Sequence, residues 1–217
     1  MNREWSELNK TMQMQIKKES TFQEGIVTLL TLRQKLTDEI FLLKRELDTD
    51  DFSARPFASA DGYHSKTIAY SLWHVFRIED IVAHTLIRGD EQIFFLGNYQ
   101  KRIGSPIITT GNELVKEQIS DFSKQLNLDA LYQYMAAVND STNGILRNLS
   151  FTDLKRKIKK EEKEYLRSLA VVSDDENAHW LIDYWCGKDF RGLIQMPFSR
   201  HWIMHIEACL RIKKKLL

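Results

Sequence analysis

Phe22, Ile26, Leu29, Leu36, Ile40, Leu43 and Leu47 recur at alternating spacings of three and four. That period holds all seven on one face of an α-helix of about seven turns, and only Arg33 interrupts the face. An apolar stripe of that length has to be covered by other helices, and the chain supplies them. A second long helix is predicted from Ser65 to Ile87, striped by Ile68, Leu72, Val75, Val82 and Leu86 and closed at Gly89. A third runs from Leu128 to Leu149 through Leu131, Met135, Val138, Thr142 and Ile145. The last carries Met196-Pro-Phe-Ser-Arg-His-Trp-Ile-Met-His-Ile-Glu-Ala-Cys209, with Pro197 suited to its first turn. Only 3 prolines and 9 glycines punctuate the chain, too few for a sandwich rich in turns, so the predicted class is all-α.

Shorter pieces fill the intervals. Residues 1–20 read as a polar accessory helix with Leu8, Met12 and Ile16 on its apolar side. Thr21 fits as an N-cap with Glu24 as its capping-box partner. Asp48 to Tyr63 is a connection, and residues 98–111 form a loop long enough to act as a lid. Asn112 to Leu126 reads as an amphipathic helix, and Asp174 to Trp185 as a short one that lets His179 pair with Asp183. Gly187 to Gly192 reads as a turn, and the basic tail complements the C-terminus of the last helix.

Arg33 and Glu79 are the charges on the first two seams. In an antiparallel hairpin they lie at one level, 14 residues before Leu47 and 14 after Ser65. They are expected to face each other as a buried ion pair. The segment Thr152 to Arg167 is dense in charge, but its acids nearly balance its bases, which fits a solvated helix surface.

A chain of 217 residues suits a single domain. A net charge of +1 gives no field toward nucleic acid or anionic membrane. Two cysteines, no apolar leader and no run of 18 apolar residues point to a cytoplasmic protein.

His201 and His205 stand one turn apart, on an arc shared with Phe198, Ala208, Cys209 and Ile212. Two inward imidazoles in this register hold a transition metal if a third ligand reaches them; otherwise they are core histidines tied up by hydrogen bonds. Four histidines remain for the third place. His84 falls on the polar side of the second helix, His64 in the connection, and His179 beside Asp183. His74, flanking the apolar arc beside Ile78 and Ile81, is the best on geometry, although spacing alone does not set it next to the last helix. Cys209 reads as core or as a soft ligand.

Thr67-Ile-Ala-Tyr-Ser-Leu-Trp-His-Val-Phe-Arg-Ile-Glu-Asp80 resembles the second helix of the DinB-like superfamily. Trp180-Leu-Ile-Asp-Tyr-Trp, followed by Met196 to His205, resembles later parts of the same family. The segment after the histidine pair departs from it, with Ile206-Glu207-Ala208 where many members have Arg-Gly-Gln. The resemblance spans nearly the whole chain. It implies one four-helix-bundle domain over residues 1–217 with a crossover connection, commonly as a homodimer. It further implies zinc, nickel or iron on His74, His201 and His205. Family activities would make the protein an enzyme transferring a low-molecular-weight thiol to a small electrophilic substrate, or a metal-dependent hydrolase. A non-enzymatic bundle with a structural metal is the third expectation. Glu79 is the first candidate general base if it faces the metal rather than Arg33, ahead of Asp80 and Asp183.

Overall fold

The computed structural model describes residues 2–217. Among them there is no strand, only an isolated bridge between Lys157 and Asp189. The helices are α1 (Arg3–Gln15), α2 (Phe22–Glu46), α3 (Ile68–Asp80), α4 (Ile93–Leu96), α5 (Tyr99–Ile103) and α6 (Glu117–Gln125). They continue with α7 (Leu128–Asn148), α8 (Lys160–Ser168), α9 (Trp180–Cys186), α10 (Phe190–Gln195) and α11 (His201–Leu216). Two π-helical turns belong to this set: Ile81–Arg88 prolongs α3, and Met196–Arg200 joins α10 to α11. No helix among the described residues is long and apolar enough to cross a membrane.

Four long elements carry the core. Both α2 and α3 pack against α7 and α11. One apolar cluster gathers Leu32 to Leu43 of α2, Ile68 to Phe76 of α3, Leu131 to Val138 of α7 and Trp202 to Ile212 of α11. The other holds Phe22 to Leu29 of α2, Ile78 to Ile87, Ile145 and Leu146 of α7, and Phe198. These memberships mean that α3 and α7 run the same way and α2 runs against both. The segment between α3 and α7 therefore crosses back along the molecule, since parallel neighbours cannot be joined by a short turn.

Arg33 and Glu79 meet between the two clusters, as expected. Their side chains are fully buried and 2.6 Å apart. The helix that carries Glu79 is buried on every face from Ile68 to Ile87, so it is a central element rather than an amphipathic one. Thr67 caps its start by accepting from the Tyr70 N–H, and Gly89, at φ 76°, caps the end of the π-helical turn.

Several local expectations fail for identifiable reasons. The N-terminal helix stops at Gln15, and residue 1 lies outside the described residues. The Thr21 hydroxyl donates to the Gln15 carbonyl and makes no cap for α2. The helix read from Asn112 begins only at Glu117, because Lys116 takes the left-handed conformation at φ 50°. Part of the expected loop 98–111 is helical (α5), and α10 occupies part of the expected turn before the last helix. His84, read as a surface residue, is buried between Asp90 and Ser141. His179 bonds the Asp175 carbonyl instead of Asp183, which pairs with Lys163.

Candidate metal centre

His201 and His205 occupy the first two turns of α11, and His74 lies midway along α3, against which α11 packs. All three are buried, and one ring nitrogen from each comes within 4.8 Å of the others. Spacing found the pair; the packing of α3 on α11 brings the third.

The hydrogen bonds fix the state of the first imidazole. His74 Nδ1 is 2.8 Å from the carbonyl of Thr110. A carbonyl only accepts, so Nδ1 carries the proton and donates, and Nε2 presents its lone pair to the cluster. That Nε2 faces His201 Nε2 at 3.2 Å. His201 Nδ1 and both ring nitrogens of His205 are buried without any hydrogen-bond partner. A neutral imidazole has one donor and one acceptor, and leaving both unmet in the interior is costly. A cation shared by the three rings satisfies the lone pairs that face one another. The donor set of three imidazoles suits zinc, nickel or iron.

Burial also sets the charge. Desolvation is the largest influence on His74, lowering its pKa to about 4; the nearby charge of Lys66 adds to this, while the Thr110 bond partly offsets it. Desolvation holds His201 and His205 well below the usual range, and the neighbouring histidines push the same way. All three rings are therefore neutral near pH 7, the form that ligates metal. Tyr70 stacks on His74 at 5.6 Å and Tyr63 meets His205 edge-on at 4.7 Å, so aromatic walls hold the rings in place.

The cluster opens on a cavity of about 240 Å³, into which His74 and His201 both face. Its walls are Tyr63 and Asn112 on one side, and Trp180, Tyr184, Trp185 and Met196 on the other. The segment expected to act as a lid contributes the Thr110 carbonyl, and its neighbour Gly111 is essential to that path. Gly111 sits at φ 79°, where a Cβ would stand 3.1 Å from the Tyr70 ring, and its carbonyl accepts from the Tyr70 hydroxyl.

The other candidates lie elsewhere. Glu79 pairs with Arg33 and also accepts from the Trp202 indole at 2.7 Å, so it is no base at the histidine cluster. Asp80 is spent on the N–H groups of Ile93 and Phe94 and on the Tyr134 hydroxyl. Asp183 is exposed and held by Lys163. Cys209 is core, its thiol pushed up to about 12 by burial, and stands outside the histidine group. His64 packs against Phe57. Glu207 accepts from the Asn2 N–H. The site roles of Thr110, Tyr63 and Tyr70 went unread in the sequence, because they depend on contacts across the chain; α9 was read as a short helix from Asp174, and it begins only at Trp180. The π-helical turn before His201 had one local signal in Pro197, which lacks the N–H of a regular helix. No family model matches this chain, and no curated protein matches it.

Proposed function

We propose that the chain is a metal-dependent enzyme of the DinB-like kind, a four-helix bundle with a crossover connection and short accessory helices. On this reading His74, His201 and His205 hold one divalent zinc, nickel or iron, and the protein transfers a low-molecular-weight thiol to a small electrophilic substrate. The observation that carries the reading is the set of unpartnered, buried imidazole nitrogens beside an open cavity. The parallel course of α3 and α7 supports the crossover topology.

The chemistry the metal supplies when bound is Lewis acidity, which makes a thiol nucleophilic at neutral pH. The protein's own part is positioning and exclusion. The Thr110 carbonyl fixes the His74 tautomer, and burial keeps the imidazoles uncharged. Trp180, Tyr184, Trp185 and Leu181 form an apolar wall that takes an aromatic or aliphatic electrophile and limits water. Among the described residues the cavity lining has no carboxylate, lysine or cysteine. A metal-bound thiol is ionised at neutral pH without a protein base, so this lining is compatible with thiol transfer.

The test is to load metal-free protein with zinc, nickel or iron and follow thiol loss against a panel of small electrophiles. Thiol consumption that needs the metal and falls away in His74→Ala supports transfer. Electrophile consumed with no thiol incorporated contradicts it and indicates hydrolysis.

A further inference from the structure

A second constellation lies outside the histidine centre. In the π-helical turn beyond α3, His84 is 2% exposed. Its Nδ1 is 2.7 Å from Asp90 Oδ1, and its Nε2 is 3.1 Å from the Ser141 hydroxyl on α7. Asp90 also holds Arg88 Nε at 2.8 Å, so it is an acceptor there. The proton between His84 and Asp90 then sits on Nδ1, and Ser141 donates to the free lone pair on Nε2. Hydroxyl, imidazole and carboxylate follow one another in the order that activates a serine.

The surroundings fit that use. Gly89, at φ 76°, folds the chain back so that the N–H groups of Gly89 and Asp90 both bond the His84 carbonyl. This turn is what brings the carboxylate over its own helix end. Ser141 lines an open cleft of about 480 Å³ with Arg88, Asp140, Gly144 and Ile145. Gly144 lies one turn beyond Ser141, with no atom within 4 Å of where a Cβ would stand, which leaves open space on that side of the half-buried serine. The Ser141 N–H belongs to the ladder of α7, so oxyanion stabilisation has to come from a side chain. Arg88 lines the same cleft and leaves its terminal nitrogens for that role.

We propose that Ser141, oriented by His84 and Asp90, is a nucleophile that accepts acyl groups from small esters in this cleft. Ser141 Oγ bonds to the ester carbonyl carbon while its proton passes to His84 Nε2. The carbon–oxygen bond to the alcohol breaks, and His84 returns the proton to the departing alkoxide. Water then attacks the Ser141 ester, the carbon–Oγ bond breaks and the proton taken from water passes through His84 to Oγ, so one ester and one water become one acid and one alcohol.

A fluorophosphonate probe tests this on the full chain, since Oγ–phosphorus bond formation expels fluoride and leaves a stable adduct. Peptide mapping is expected to find the adduct on Ser141, with none at that position in Ser141→Ala. His84→Gln should slow labelling roughly 100-fold, the scale of general base catalysis. Asp90→Asn, at a half-exposed turn, tests the same chain without disturbing the interior, and should also slow labelling. Chelator-treated, metal-free protein should label at the native rate. An unlabelled Ser141, or equal rates in wild type, His84→Gln and Asp90→Asn, would overturn the proposal.

Discussion

Arg33 makes a complete set of bonds in the middle of the protein. Its Nη1 donates to Glu79 Oε2 at 2.8 Å and to the Phe198 carbonyl at 3.2 Å. Its Nη2 donates to Glu79 Oε1 and to Asn139, and its Nε to Asn143. Every donor of the guanidinium is used, and its plane lies 4.4 Å from the Trp202 ring. The partners sit on α3, on α7 and in the π-helical turn before α11, so this knot fixes the register of those elements against α2. Arg33→Met or Glu79→Leu alone is predicted to cost about 3–5 kcal/mol by stranding the other charge. The double variant should cost much less than the two together, and urea unfolding of the three variants checks it. A second residue-scale prediction concerns pH. His74 binds its proton at about 4 when folded, against 6.5 when free, so the unfolded chain holds more protons between those values. Stability of the metal-free protein is therefore full above pH 6.5 and falls as pH drops toward 4, by about 3 kcal/mol from this one residue. Thermal melts across that range, in His74→Gln beside the wild type, isolate the contribution.

At the scale of elements, α3 is the piece on which the histidine centre depends, and α3 with its π-helical extension is capped by two residues outside that centre. Thr67→Ala removes an N-cap and Gly89→Ala forces alanine into a left-handed conformation, each at a predicted cost of about 1 kcal/mol. The two sites lie at opposite ends of one element, so their effects on the denaturation midpoint should add. The sequence made α2, α3 and α7 legible because their apolar seams hold over many turns; the caps told less, since Thr21 makes no cap for α2 and Asn127, which does cap α7, was not read. It placed His84 wrongly for a physical reason. A helical wheel with one apolar stripe assumes that the opposite side meets water, whereas α3 and the π-helical turn beyond it are buried on every face, so His84 is interior too. Residues 104–116 were unreadable for a different reason. Their local bonds are irregular turns without a period, and the contacts that matter to the site, from His74 to the Thr110 carbonyl and from Arg77 to the Ile108 carbonyl, come from distant residues.

In the whole molecule, two apolar clusters share α2, α7 and α3 with its π-helical extension, and the Arg33–Glu79 layer lies between them. The candidate metal centre sits where α11 leaves its π-helical turn and crosses α3, so both clusters hold the ligand-bearing backbone rigid. The histidine pair was visible as a spacing of four on an apolar arc, and His74 was the preferred third ligand of four, although only packing sets it beside the last helix. Elemental analysis of protein purified without chelator tests this centre most directly, with a His201→Ala, His205→Ala variant beside it. About one zinc, nickel or iron per chain is predicted in the wild type, and none in a variant that still folds. A wild-type protein that stays metal-free after soaking and dialysis would contradict the account and leave the three histidines as core residues.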